Sequence, residues 1–293
     1  MNAGNSNRIT REYLDSLLVE TRYLDAAAPD TTLQLYGRTF PTPVMTAALS
    51  HLDHFMEPGS TEKYAEGAAG AGVVTWIGMS SKEEIELVAG KSPAVVEIIK
   101  PYRDRDLIFR KIEHAEKQRL LAVGIDIDHP FAEGGAPDFV DGFEMKAMTT
   151  AELGELCRST KLPLIVKGVL SVRDADRSLS AGAGGVLLSH HNNRIGYAVP
   201  PLMALGEIRK AVGGRIPIFV DDEIATGMDA FKALALGATA VGIGRPLMTA
   251  IRDGGAEGMA EYLRNVTKQL AYVMACTGCT SLSAMDASVI HKS

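Results

Sequence analysis

Between residues 161 and 250 one pattern recurs four times: a short aliphatic run that stops abruptly in polar or glycine residues. The runs are KLPLIVKG, VLLSHHNNR, IPIFVDDEIATG and AVGIGRP. Stretches with helical spacing separate them, over Val172 to Ser180, Pro201 to Val212 and Met228 to Leu236. Strand, loop and helix repeating at roughly 25 to 30 residues predicts βα units on a parallel sheet. Upstream, further runs at Val44 to Ala48, Val73 to Ile77, Val95 to Ile99 and Ala122 to Ile127 raise the count to eight. Eight strands close a barrel, so the fold class is α/β, a (β/α)8 TIM barrel. Lys167, Ser189, His191, Asp221, Gly244 and Arg245 end the later runs, on the face where such barrels place their chemistry.

The 293 residues suit one barrel domain with two additions. The first is an N-terminal extension over about residues 1 to 40, helical through RITREYLDSLLVETRYL and then a hairpin through TLQLYG and RTF. The second is the stretch 129 to 148, HPFAEGGAPDFVDGFEMKAM, too long for a simple βα loop and expected to form a lid over the barrel mouth. A long helix over about Gly254 to Cys276 follows the last strand. With 30 basic against 36 acidic residues there is no electrostatic footprint for nucleic acid. No apolar run reaches the ~20 residues of a membrane span, and MNAGNSNRITREY does not read as a signal peptide, so the expected location is cytoplasmic. Cys157, Cys276 and Cys279 are too few for a disulfide framework, and Cys276-Thr-Gly-Cys279 lacks the partners a zinc site needs, so no metal is expected.

The strand ends carry groups that can act together. His191 and Arg194 stand three apart, an imidazole to take a proton and a guanidinium to hold a carboxylate-bearing small molecule. Asp128, after the fourth run, can orient that imidazole. Lys167 faces the barrel axis if alternation holds, placed either to stabilise negative charge on a bound ring or to pair internally with Asp126, Asp128 or Asp221. Gly244 and Arg245 follow the eighth strand, where barrels commonly hold a phosphate.

LPLIVKGVLSVRDA, GAGGVLLSHHNNR, GRIPIFVDDEIATGMDAFKALALGATAVGIGRP and a terminal TGC resemble the FMN-dependent 2-hydroxy acid oxidase and dehydrogenase family, with its shorter bacterial members. The likeness is strong over about 161 to 282 and continues upstream through LQLYGR, PVMTAAL and VGIDIDHP. It implies an FMN-linked barrel, FMN as cofactor and a homo-oligomer, a tetramer or octamer. It also implies His191 as catalytic base, Asp128 as its partner, Arg194 as the substrate-carboxylate arginine and Lys167 at the edge of the flavin. Thr46, Ala47 and Ala48 correspond to the segment along the flavin ring, and Asp221, Gly244 and Arg245 to parts of the ribityl and phosphate site. Glu97 and Asp126 stand where the third and fourth strands carry cofactor-contacting residues, and Ser189 joins the same set.

The departures fall mainly at the phosphate. The family's Asp-Gly-Gly-[Ile/Val]-Arg reads here Asp221-Asp222-Glu223-Ile224-Ala225, so two glycines are acids and the arginine is gone. A phosphate facing those acids would lose roughly 4 kcal/mol per like-charge pair at about 4 Å and an effective dielectric near 20. His-Gly-x-Arg has become His191-Asn192-Asn193-Arg194, and the family's second substrate arginine and N-terminal tyrosine have no counterpart. The leading expectation is an FMN-dependent oxidoreductase acting on a small 2-hydroxy acid. The alternatives are a flavin-free lyase or isomerase using the same histidine and lysine, and a non-catalytic ligand-binding barrel.

Overall fold

A computed structural model describes residues 4–293. Eight parallel strands form the barrel: β1 Val44–Thr46, β2 Thr75–Gly78, β3 Val95–Ile99, β4 Ala122–Asp126, β5 Leu164–Lys167, β6 Gly185–Leu188, β7 Ile218–Val220 and β8 Ala240–Ile243. Each pairs with the next from β2 to β8, and β8 pairs with β1 in register Val241 with Val44. The remaining seam, β1 to β2, closes through Thr46 N to Val74 O at 3.2 Å, Gly78 N to Leu49 O at 3.1 Å and the Leu49–Ile77 bridge. The sheet is therefore a closed cylinder with no free edge.

Alternation along the strands separates two cores. Met45, Trp76, Ile98, Ile165, Leu187 and Phe219 fill the cylinder, with Trp76 edge-on to Phe219 at 5.2 Å. Val44, Ile99, Val123, Val166, Val220 and their neighbours pack outward against the helices. The antiparallel hairpin of Leu33–Leu35 and Arg38–Phe40 adds Leu33, Leu35 and Phe40 to the inner cluster and plugs the end remote from the polar strand ends.

The surrounding helices are α1 Ser60–Ala71, α2 Lys82–Lys91, α3 Arg105–Lys117, α4 Thr150–Ser159, α5 Val172–Ala181, α6 Pro201–Val212, α7 Gly227–Leu236 and α8 Arg245–Cys276. Their starts are written locally: Ser81 with Glu84, Thr149 with Glu152 and Thr226 with Asp229 form reciprocal caps on α2, α4 and α7. Helix α8 begins nine residues earlier than the spacing predicts and breaks at Gly255, whose φ of 62° no regular helix contains. None of these helices is long and apolar enough to cross a membrane.

The N-terminal helix, Ser6–Asp15, packs on the barrel mouth, and the strand after it, Leu17–Val19, pairs antiparallel with the C-terminal strand Ile290–Lys292. Residues 129–148 contain a two-residue hairpin, Phe139–Val140 with Phe143–Glu144, pinned by the bridges Tyr102–Met145 and Phe131–Pro137.

Candidate active site

The polar strand ends open into a cavity of about 780 Å³ at the carboxyl end of the barrel. Ala47 and Ala48 form one wall, Lys167, Ser189 and His191 another, and Gly242, Gly244 and Arg245 a third. Pockets of this size hold drug-sized ligands.

His191 leaves β6 in a left-handed turn, with φ of 53° at His191, 54° at Asn192 and 69° at Asn193. Non-glycine residues rarely sit there, and the strain is offset by specific bonds. Asp222 accepts from the backbone N–H groups of His190 at 2.6 Å and Asn192 at 3.1 Å, and Ser189 Oγ accepts from His191 N at 3.1 Å. The N-terminal helix braces the same turn: Thr10 Oγ1 lies 2.9 Å from His190 Nε2, and Ser6 N donates to Asn193 Oδ1 at 2.7 Å. The imidazole of His191 then stands with Nδ1 2.9 Å from Asp128 Oδ1 and 3.0 Å from Lys167 Nζ. In the tautomer that donates Nδ1–H to Asp128, Nε2 is the basic nitrogen.

Under His191 lies a buried charge cluster. Asp126 Oδ2 accepts from Lys100 Nζ at 2.6 Å, and Asp126 Oδ1 accepts from Lys167 Nζ at 3.1 Å. Burial opposes ionisation of Asp126, but the two ammonium groups overcome it and hold the carboxyl well below its usual range. Burial equally opposes charge on Lys167, yet Asp126, Asp128 and Asp221 keep its affinity for the proton high. Lys100 has fewer carboxylates near it, and there burial prevails, lowering its pKa. Asp221 also faces the cavity; burial, with Asp222 beside it, raises its carboxyl well above the normal range, and its Oδ1 has no partner among the described residues.

Arg194 is turned to the 129–148 stretch. Its Nη2 donates to Phe131 O at 2.6 Å and pairs with the carboxylate of Asp138. Asp138 Oδ2 is also 3.3 Å from His129 Nδ1, and the His129 ring lies 4.4 Å from that of His191. Burial, with Lys100 and His191 nearby, lowers His129 to about 4, so it is neutral here. Asp128, His129 and His191 bring one ligand-type atom each within 4.8 Å of one another, although no metal was expected from the sequence.

The predicted residues thus divide. His191, Lys167, Ser189, Asp221, Gly244, Arg245, Ala47 and Ala48 share the cavity, Asp128 and Asp126 lie directly behind it, and Arg194 lies against residues 129–148. The other two point elsewhere. Thr46 points into the β1–β2 seam, where its Oγ1 accepts from Trp76 N at 2.8 Å. Glu97 is corrected outright: alternation along β3 turns Val96 and Ile98 inward, so Glu97 faces α3, fully buried and 3.7 Å from Lys111. The polar residue that β3 delivers to the site is Lys100, at the strand's end as Lys167 is at the end of β5. Arg11 and Asp138 carry no such signal, and His129 reads in the sequence only as a loop histidine near a strand end; the N-terminal helix brings Arg11 onto the cavity wall.

Burial pushes the Glu97 carboxyl up to about 7 against the pull of Lys111. A carboxyl raised on folding contributes stability below its ordinary range that is lost as pH rises through about 7. Glu97→Gln is therefore expected to exceed the wild type in stability by roughly 2–3 kcal/mol above about pH 8, the difference closing near pH 4. Urea titrations at the two pH values read this directly, and an equal gap at both would contradict it.

The family model for FMN-dependent dehydrogenases matches residues 1–148 and 132–292. Glycolate oxidase from Spinacia oleracea is 27% identical over 98% of this chain and 86% of its own length. A 2-hydroxyacid oxidase from Dictyostelium discoideum is 27% identical over 93% of this chain and 79% of its own. Among solved structures, a mandelate oxidase variant with 4-Br-2-hydroxy-methylphenylacetate superposes with a TM-score of 0.88 at 29% identity, over 97% of this chain and 92% of the other. Mandelate oxidase with (S)-2-phenylpropionate gives 0.87 at 28%, over 99% and 91%.

Proposed function

Because the chain belongs to the FMN-dependent dehydrogenase family, we propose that it oxidises a small 2-hydroxy acid with FMN in the 780 Å³ cavity and His191 as base. One observation carries the reading: His191 meets Asp128 at 2.9 Å and Lys167 at 3.0 Å on the wall of that cavity.

The residues present fit the cofactor. Ala47 and Ala48 offer a smooth wall for a flat ring, with the ammonium of Lys167 facing the same space. The unpartnered Oδ1 of Asp221 is a buried atom awaiting a hydroxyl, as a ribityl chain provides. At the phosphate end Asp222 and Glu223, standing where the family motif has its two glycines, both have positive φ, 65° and 58°. Asp222 is spent on the His190–Asn192 backbone, and Glu223 pairs with Arg245. The acids that the sequence sets against a phosphate are thus already engaged by protein groups. When bound, FMN supplies the acceptor for the α-carbon hydride.

The protein's own part is proton and charge handling. Nε2 of His191 takes the hydroxyl proton, Asp128 steadies the imidazolium that results, and Lys167 holds positive charge against the ring. Arg194 receives the substrate carboxylate once it leaves Asp138, which the lid now places on it as an internal competitor. Neutral His129 beside that pair adds a donor without adding charge.

The test is spectroscopic. FMN added to purified protein should bind, and anaerobic addition of glycolate, lactate, mandelate or a longer 2-hydroxy acid should bleach its visible absorption. Protein that binds no FMN would return the flavin-free reading, and bound flavin bleached by none of these acids would exclude the reaction.

Asp138→Asn should lower the KM for the hydroxy acid by about tenfold, since removing the competing charge is worth about 1.4 kcal/mol. Steady-state kinetics check this, with kcat changing less than KM; an unchanged KM rules out competition by the lid.

A further inference from the structure

The motif arginine is missing at Ala225, and a guanidinium reaches the same neighbourhood from the other end of the chain. Arg11, on the N-terminal helix, lines the same cavity as Glu223, Ala225 and Arg245. Its Nη1 donates to Glu223 O at 3.2 Å, and its Nη2 donates to Asp229 Oδ1 at 2.8 Å. Asp229 also accepts from the backbone N–H of Ala225 at 3.2 Å, so Arg11 ends beside the residue where the motif would place its guanidinium.

Arg11 is held there by a built arrangement. Asp229 is buried and fixed by its capping bonds to Thr226, and Leu14, on the same helix, is fully buried. Lys232 Nζ caps the helix by donating to Leu14 O at 2.7 Å, and Thr10 and Ser6 tie its other turns to the His190–Asn193 loop. Of the five guanidinium N–H groups, Nε and Nη2 serve Asp15 and Asp229 and one Nη1 hydrogen serves Glu223 O. One donor on Nη1 remains, and the bond to largely exposed Asp15 is the kind that yields to a dianion.

We infer that Arg11 has taken over the phosphate-binding role of the arginine absent at position 225, so that the N-terminal helix supplies a guanidinium to the FMN phosphate opposite Arg245. The inference rests on the flavin reading above. It explains where a cavity that lost one arginine and gained two acids finds a guanidinium donor for a phosphate.

The measurement is the affinity of the full-length protein for FMN and for riboflavin, which has the same ring and ribityl chain without the phosphate. Arg11→Ala should raise the FMN Kd by about 10- to 100-fold, the range of a hydrogen bond to a charged group. Riboflavin affinity should change by less than about twofold on that scale. Adding Ala225→Arg to Arg11→Ala should recover most of the FMN affinity, because it returns the guanidinium by the family's own route. Should Arg11→Ala fail to fold, Arg11→Lys serves, keeping charge but not the fork, with a smaller loss confined to FMN. An unchanged FMN Kd, or equal losses for FMN and riboflavin, overturns the inference while wild-type binding and bleaching still support the flavin reading. Wild-type protein that binds neither flavin removes both.

Discussion

His191→Asn is expected to slow anaerobic bleaching of the bound flavin by about 10²- to 10⁴-fold, the usual worth of a positioned general base. Asparagine is the informative replacement because position 191 has a φ of 53°, a region asparagine tolerates and alanine does not. The turn should therefore persist, and FMN affinity with it, so the loss reports chemistry and not collapse of the loop. Asp128→Asn should give a smaller loss alone and add little to His191→Asn, since the carboxylate acts chiefly through the imidazole it holds at 2.9 Å, with Lys167 farther off at 4.0 Å. Bleaching rates from stopped-flow absorbance decide the matter. A His191→Asn rate within about tenfold of wild type would assign the proton transfer elsewhere.

Asp126→Ala is expected to be the most damaging single change to stability, by about 3–5 kcal/mol. The carboxylate lies between Lys100 and Lys167, at 2.6 and 3.1 Å, with all three side chains buried. Its removal leaves two ammonium groups facing each other with water excluded. The protein can relieve this by releasing a proton, and Lys100 is the group to lose it, its pKa being already lowered by burial. A lysine depressed on folding costs stability below its folded pKa, and that cost fades as pH rises toward its ordinary value. The Asp126→Ala deficit should therefore shrink from neutral to alkaline pH, and Lys100→Met added to it should restore much of the stability. Urea titrations across that range check both expectations. A deficit under about 1 kcal/mol, or one independent of pH, would mean the cluster is solvated in a way its burial contradicts.

The barrel was legible because its strands, buried on both faces, announce themselves as uninterrupted aliphatic runs closed by polar residues. The same property hid the orientation of β3. In VVEIIK every neighbour is apolar, so nothing shows which face Glu97 takes, and only the register places Lys100 in the site and Glu97 against α3. His191, Lys167 and Asp128 could be read because each ends or follows a strand. Arg194 was read with its neighbour His191, but its contact with Asp138 depends on how residues 129–148 fold back, and no local pattern encodes that. Arg11 was invisible for the same reason on a larger scale. Its helix is amphipathic and capped by Asn5, yet nothing in RITREYLD says which end of the barrel it covers. The helix read through RITREYLDSLLVETRYL ends at Asp15, and Leu17–Val19 instead pairs with Ile290–Lys292, because a three-residue strand carries no periodicity to set it apart from the helix before it.

The docking of the first helix gives the two chain ends unequal neighbourhoods. Gly4 and Ser6 already touch the loop that bears His191, with Ser6 Oγ donating to Ile195 O at 2.7 Å and Gly4 against Gly196. Ser293 instead closes the short terminal ribbon, its N–H donating to Ser16 O at 2.9 Å. A tag or fusion partner joined at Gly4 therefore grows from the rim of the cavity, whereas one carried after Ser293 leaves that rim clear.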